Sequence, residues 1–191
     1  MIVGSAAAMA SDDTRLNLGC GTDIRPGFVN LDSADLPGVD VVHDLRELPL
    51  PFEDGRFEEV VCQDVLEHVD YAPLLGEIHR VMRPGGRLHV RSPHFTSRAV
   101  YLDPTHRTAF SIDTLRFFVR GDAFAERAYY FPFAFAGLER AHITFHRYRG
   151  MPWNYALERW VNASPARQAY YEGTGLSRLF PASNVEVTLI R

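Results

Sequence analysis

Short apolar runs alternate with turn-forming residues along most of this chain, and their spacing predicts its elements. Arg15-Leu16-Asn17-Leu18 ends in Gly19-Cys20-Gly21-Thr22, which reads as a buried strand over about 14–19 entering a loop. Phe28 to Asp32 predicts a second strand and Val39 to His43 a third. Leu48-Pro49-Leu50-Pro51-Phe52 cannot be a helix interior, because proline lacks the N–H. Phe57 to Cys62 predicts a fourth strand, and Val65 to Val69 a short helix. Leu74, Leu75, Ile78, Val81 and Met82 fall at helical spacing after Tyr71, and Arg83-Pro84-Gly85-Gly86 stops that helix. Arg87 to Arg91 predicts a fifth strand. Strands alternating with helices and turns argue for a parallel α/β sheet.

One link breaks that rhythm. The segment between the first two strands is short and carries Pro26-Gly27, whereas a parallel crossover normally needs roughly a dozen residues and a helix. The first helix is therefore expected to be absent or cut to a turn. A ligand at the glycine loop would then be held by the loop backbone rather than by a helix N-terminus.

Beyond Ser92-Pro93 the character changes. Residues 94–137 are rich in aromatic and polar side chains, with a helix expected from Ser111 to Arg120 and Ser111 as its N-cap. Leu138 to Arg147 alternates as a sixth strand and Val185 to Ile190 as a last one. Residues 148–183, rich in aromatics and turn formers, are assigned no element. No internal repeat, low-complexity tract or linker interrupts the chain.

Composition narrows the class. A chain of 191 residues that is 46% hydrophobic suits one domain with a sizeable core. The net charge of −4 gives no reason to expect a nucleic-acid surface. Every basic residue counted is arginine, which excludes a Schiff-base or P-loop lysine. Cys20 and Cys62 fall in or beside expected buried strands, so a disulfide framework is not expected and a reducing cytoplasm fits. Residues 1–13 lack a basic stretch ahead of their broken apolar run, and read as a flexible N-terminus rather than a signal peptide. No run approaches the ~20 apolar residues that a membrane span needs.

The candidate chemistry starts at the glycine loop. A G-x-G turn after one strand, with Asp32 at the end of the next, is an arrangement that holds a nucleoside: backbone against the polar tail, carboxylate on the ribose hydroxyls. With those residues come Asn30-Leu31-Asp32, His43-Asp44-Leu45, Leu50-Pro51-Phe52, Phe57 to Val69, and Arg80 to Gly86. In this order and spacing the chain resembles the class I S-adenosylmethionine-dependent methyltransferases of the type 11-like domain over nearly its whole length. It departs from them at Thr22-Asp23-Ile24, where many members carry a third glycine.

That resemblance implies a Rossmann-like α/β fold, a mostly parallel seven-stranded sheet of order 3-2-1-4-5-7-6. The methyltransferase domain would cover 14–191, with substrate-covering insertions at about 94–137 and 148–183. It implies S-adenosyl-L-methionine as cofactor and S-adenosyl-L-homocysteine as product. Gly19, Cys20 and Gly21 would approach the methionine part, Asp32 the ribose, Asp44 and Leu45 the adenine, and Gln63 the methionyl group again. The partner would be a small-molecule or sugar acceptor, with no nucleic acid and no membrane, on a monomer or homodimer.

Methyl transfer from a sulfonium needs an aligned nucleophile and, for a hydroxyl, a base. The place for one is past the end of strand five, where His94, Asp103 and His106 are the candidates. A metal held by His94, Asp103 and His106 lacks firm ligand spacing, and no metal is assigned. His68 lies nearby, with a structural role as apt as a chemical one. Aromatics from Tyr129 to Phe135 would either roof a substrate pocket or join the core. Transfer to nitrogen, sulfur or carbon, and a non-catalytic cofactor-binding regulator or scaffold, stay open as alternatives. A nicotinamide-dependent dehydrogenase is disfavoured, because the third glycine and the helix under a pyrophosphate are missing.

Overall fold

The computed structural model describes residues 13–147 and 151–191. The expectation for the N-terminal segment, Asp13 apart, lies outside the described residues, as do positions 148–150 of the second expected insertion.

Seven strands form one sheet of order β3-β2-β1-β4-β5-β7-β6, the order expected. The strands are β1 (Arg15–Leu18), β2 (Val29–Asp32), β3 (Val41–Val42), β4 (Phe57–Gln63), β5 (Met82–Pro93), β6 (Gly137–Ile143) and β7 (Asn184–Ile190). All neighbours from β3 to β5 pair in parallel. β7 runs antiparallel between β5 and β6, leaving β6 at the edge. Leu16, Leu18, Leu31, Val60 and Cys62 from the central strands are buried with Leu74, Leu75 and Ile78 of α1 (Tyr71–Val81).

The β1–β2 link has no helix among its residues. Two buried asparagines brace it instead. Asn17 Nδ2 donates to Asp23 O at 2.7 Å and to Asn30 Oδ1 at 3.1 Å, while Asn30 Oδ1 also accepts from Arg25 N. Each buried amide is thereby partnered, which offsets the cost of taking it out of water.

Several stretches depart from the expectation: β3 keeps only Val41–Val42, and β6 ends at Ile143, short of Arg147. β5 starts at Met82, directly after α1, and absorbs Arg83-Pro84-Gly85-Gly86, which reads locally as a loop. The register shift opposite Phe57–Glu59 accommodates the proline, and a Cβ on Gly86 would lie 2.9–3.1 Å from three carbonyl oxygens. Gly85 N–H and Gly86 O pair with Arg191 at the far end of β7.

The helix expected over 111–120 is a single 3₁₀ segment, Thr114–Phe118. Phe118 O and Arg120 N–H are taken by Phe135, which pulls the chain into extended form just where the helix would continue.

Residues after Met151 hold three helices that patterning missed: α3 (Trp153–Val161), α4 (Pro165–Gly173) and α5 (Leu176–Leu179), with α2 (Ala99–Leu102) in the earlier insertion. Ser164-Pro165 was a readable start signal, and Ser164 caps α4 by accepting from Arg167 N–H. Asn162 and Gln168 return amide bonds to Ile143 and Ala141 of β6, satisfying an otherwise open sheet edge.

Candidate active site

The carboxyl ends of β1, β2, β3 and β4 open into one cleft of about 400 Å³. Gly19, Asp32, Asp44, Leu45, Asp64 and Val65 line it from the sheet side, and His68 and Thr105 from the other. Ligands in open α/β sheets sit outside such strand ends.

Gly19 and Gly21 both hold left-handed backbone, at φ 62° and 49°. At Gly19 space matters as well, since a Cβ would fall 2.4 Å from Val65 Cγ2. Gly21 faces open space, so only its conformation demands glycine. Cys20 is 5% exposed and absent from the cleft wall, and its N–H donates to Leu31 O. Burial pushes both the Cys20 and Cys62 thiols up, which makes them inert apolar filling.

Asp32 splits its carboxylate between two backbone donors. Oδ2 accepts from Gly21 N–H at 2.7 Å and Oδ1 from Ala34 N–H at 2.9 Å. Asp44 is gripped by the guanidinium and backbone N–H of Arg46, which holds its carboxyl at about 2. It is anionic at any physiological pH.

The side chain of Gln63 lies off this cleft. Its Oε1 accepts from Arg25 at 3.0 Å and it lines a separate polar cavity with Glu59 and Arg91. Asp64, with φ 55°, lines the cleft and pairs with Arg91. Asp64 is the first residue past β4, and its left-handed backbone breaks the strand and sets its side chain apart from that of Gln63.

His94, expected as a base, does not line the cleft. Its side chain is fully buried. Nδ1 accepts from Thr96 N–H at 3.1 Å, and Nε2 donates to Glu172 Oε1 at 3.0 Å, which also accepts from Ile112 N–H. This histidine ties the end of β5 to α4 and has no lone pair open to an acceptor. His94, Asp103 and His106 do not converge.

Asp103 and His106 instead meet His68, together with Thr105 and Glu67, to which the sequence analysis assigned no role. Asp103 Oδ1 accepts from Thr105 Oγ1 at 2.6 Å, and Thr105 Oγ1 lies 2.7 Å from His68 Nδ1. His106 Nδ1 lies 3.2 Å from Val100 O, and the two imidazoles pack at 4.6 Å between centroids. Burial and the neighbouring His106 push the His68 imidazole below its ordinary value, which favours its neutral form. Beside them Glu67 is 1% exposed; burial raises its carboxyl, and Ser92 Oγ donates to its Oε2 at 2.9 Å.

The aromatics lie off this cleft, and Phe131 lines a separate cavity with Tyr71, Phe117 and Phe124. Phe131, Phe133 and Phe135 stack on Phe118 and on His79 of α1, away from the cleft, while Tyr129 and Tyr130 are exposed. Among the described residues, no helix is long and apolar enough to cross a membrane.

Residues 3–90 match the family described as methyltransferase domain. A demethylmenaquinone methyltransferase of Listeria welshimeri is 36% identical over 66 residues, 34% of this chain and 28% of that protein. The first curated relatives are matched over only 19–28% of their own length. A SAM-dependent methyltransferase from Archaeoglobus fulgidus superposes with a TM-score of 0.56 at 18% identity, covering 93% of this chain and 85% of that one. A Haemonchus contortus phosphoethanolamine N-methyltransferase, solved with S-adenosylhomocysteine, superposes with a TM-score of 0.56 at 15% identity, covering 93% and 48%. The chain thus carries a methyltransferase-domain match over residues 3–90 and shares its fold with S-adenosylmethionine-dependent methyltransferases.

Proposed function

We propose that this protein transfers the methyl group of S-adenosyl-L-methionine to a hydroxyl oxygen of a small-molecule or sugar acceptor. The observation that carries the reading is the convergence of Gly19, Asp32, Asp44 and Leu45 on one cleft at the strand ends. In this reading the loop backbone takes the methionyl part, Asp32 the ribose hydroxyls, and Asp44 with Leu45 the adenine. Carboxylate bonds of this kind are charge-assisted and directional.

The acceptor oxygen attacks the methyl carbon, the carbon–sulfur bond breaks, and its electron pair stays on sulfur as neutral S-adenosyl-L-homocysteine. The leaving group needs no help, so the protein's task is alignment and loss of the hydroxyl proton. His68 lines the cleft and His106 packs on it, which supports this pair, rather than His94, as the side chains that stand beside the acceptor hydroxyl. Thr105 brings the first insertion to the cleft wall. A largely apolar cavity of about 540 Å³ between Thr96–Tyr101 and Met151–Pro181 supports an enclosing role for both insertions.

The test is calorimetric titration with S-adenosyl-L-homocysteine, then incubation of small-molecule extracts with methyl-labelled donor and mass spectrometry of the product. Saturable binding and an O-methyl product are expected. A folded protein that takes up no cofactor overturns the reading, and label on nitrogen, sulfur or carbon overturns the acceptor assignment.

A further inference from the structure

Glu67, His68 and His106 each offer a ligand atom, and these atoms lie within 4.8 Å of one another. We propose that the three side chains bind one divalent metal ion at the wall of the cleft.

The first support is a polar atom without a partner. Glu67 is 1% exposed, Ser92 occupies its Oε2, and its Oε1 has no hydrogen-bond partner among the described residues. Orphaned buried carboxylate oxygens are rare because they forfeit the full cost of desolvation. A cation between Glu67 and the two imidazoles removes that cost.

The second support is the tautomer of each histidine. Val100 O can only accept, so His106 Nδ1 carries the proton of that 3.2 Å bond. Thr105 Oγ1 gives its own hydrogen to Asp103 Oδ1, so its lone pair accepts from His68 Nδ1–H. Both rings therefore present an unprotonated Nε2. Metal-ligating histidines are held in this way, with the distal N–H fixed on a carbonyl or carboxylate chain. Asp103 and Thr105 are thus positioning residues for His68.

Metal bonds to imidazole and carboxylate run near ~2.1 Å, so two ligands of one ion lie at most roughly 4.2 Å apart. Small rotations about the side-chain torsions close the gap. Two imidazoles and one carboxylate suit zinc, manganese, cobalt or ferrous iron better than calcium or magnesium. His68 and Thr105 line the cleft, so the ion stands at its wall. Resting on the methyl-transfer reading, the ion would bind the acceptor hydroxyl and make it more acidic, its proton passing to solvent, with His68 and His106 serving as ligands rather than as the base.

The test strips the full chain with a chelator and titrates it with Zn²⁺, Mn²⁺ and Co²⁺ separately, recording heat and the visible absorption of the cobalt form. S-adenosyl-L-homocysteine is titrated in parallel. Wild type should take one ion per chain, with cobalt bands of nitrogen–oxygen ligation. Glu67→Gln, which keeps the Ser92 bond, and His106→Asn should each weaken the ion more than about 10-fold, and Thr105→Val, far from the core, about 10-fold. No uptake by wild type, or uptake unchanged in all three variants, overturns the proposal. A protein that takes the ion but not the cofactor counts against the methyl-transfer reading alone.

Discussion

The carboxylate of Asp32 closes on the backbone N–H of Gly21 at 2.7 Å, so one side chain from β2 sets the loop that follows β1. The other oxygen of Asp32 holds Ala34 at 2.9 Å. In the proposed site, the residue assigned to the ribose would therefore also shape the glycine loop.

Asp32→Ala should therefore weaken S-adenosyl-L-homocysteine by roughly 1.5–3 kcal/mol, the worth of bonds to a charged group. Asp32→Asn should lose less, since one acceptor oxygen remains to hold Gly21. Calorimetry on both variants, with circular dichroism to confirm the fold, checks this. Equal affinity in wild type and Asp32→Ala would take Asp32 out of the site.

The two loop glycines should answer differently to the same substitution. Gly19→Ala drives a methyl into Val65 at 2.4 Å and strains a φ of 62°, so it should lower the melting temperature and narrow the cleft. Gly21→Ala meets open space and costs only its left-handed backbone, about 1–2 kcal/mol. Cofactor binding should fall further in the first. Thermal denaturation and calorimetry on the pair give the comparison.

His94 and His106 should separate stability from turnover. His94→Ala removes the imidazole partner of Glu172, leaving it only Ile112 N–H, and should cost about 1–3 kcal/mol of stability with cofactor affinity kept. His106→Ala should spare the melting temperature and lower turnover by roughly 10²-fold. The reverse pattern would return His94 to the chemistry.

Acid sensitivity should trace in part to Glu77. Its carboxylate forks onto Arg80 and accepts from Leu50 N–H at 3.0 Å, and Arg80 holds its carboxyl below the ordinary 4.5. A depressed folded value means stability that is complete above pH 4.5 and is lost as pH falls through the lower folded value. Glu77→Gln should cost about 1 kcal/mol at pH 7, discounted for partial exposure, and little at pH 3. Urea denaturation at both values measures the difference.

The strands, the missing first helix, the glycine loop and the positions of Asp32 and Asp44 were all readable from the residues alone. Each depends on local spacing or local backbone conformation, which a chain carries in its own order: apolar alternation, a proline, a glycine that must take positive φ. The sheet order followed from resemblance, and the strand pairing bears it out.

Packing between distant segments decided the rest. Whether Gln63 or Asp64 faces the cleft turns on where β4 ends, a matter of one residue that no composition specifies. His94 is buried because α4 brings Glu172 to it across 78 positions of chain. Glu67, His68 and His106 meet because the loop after α2 folds back, with Arg107 N–H donating to Glu67 O at 2.7 Å. Side chains so far apart in sequence share a site only through the fold, since the entropy of closing such loops is met by tertiary contacts rather than by any local preference.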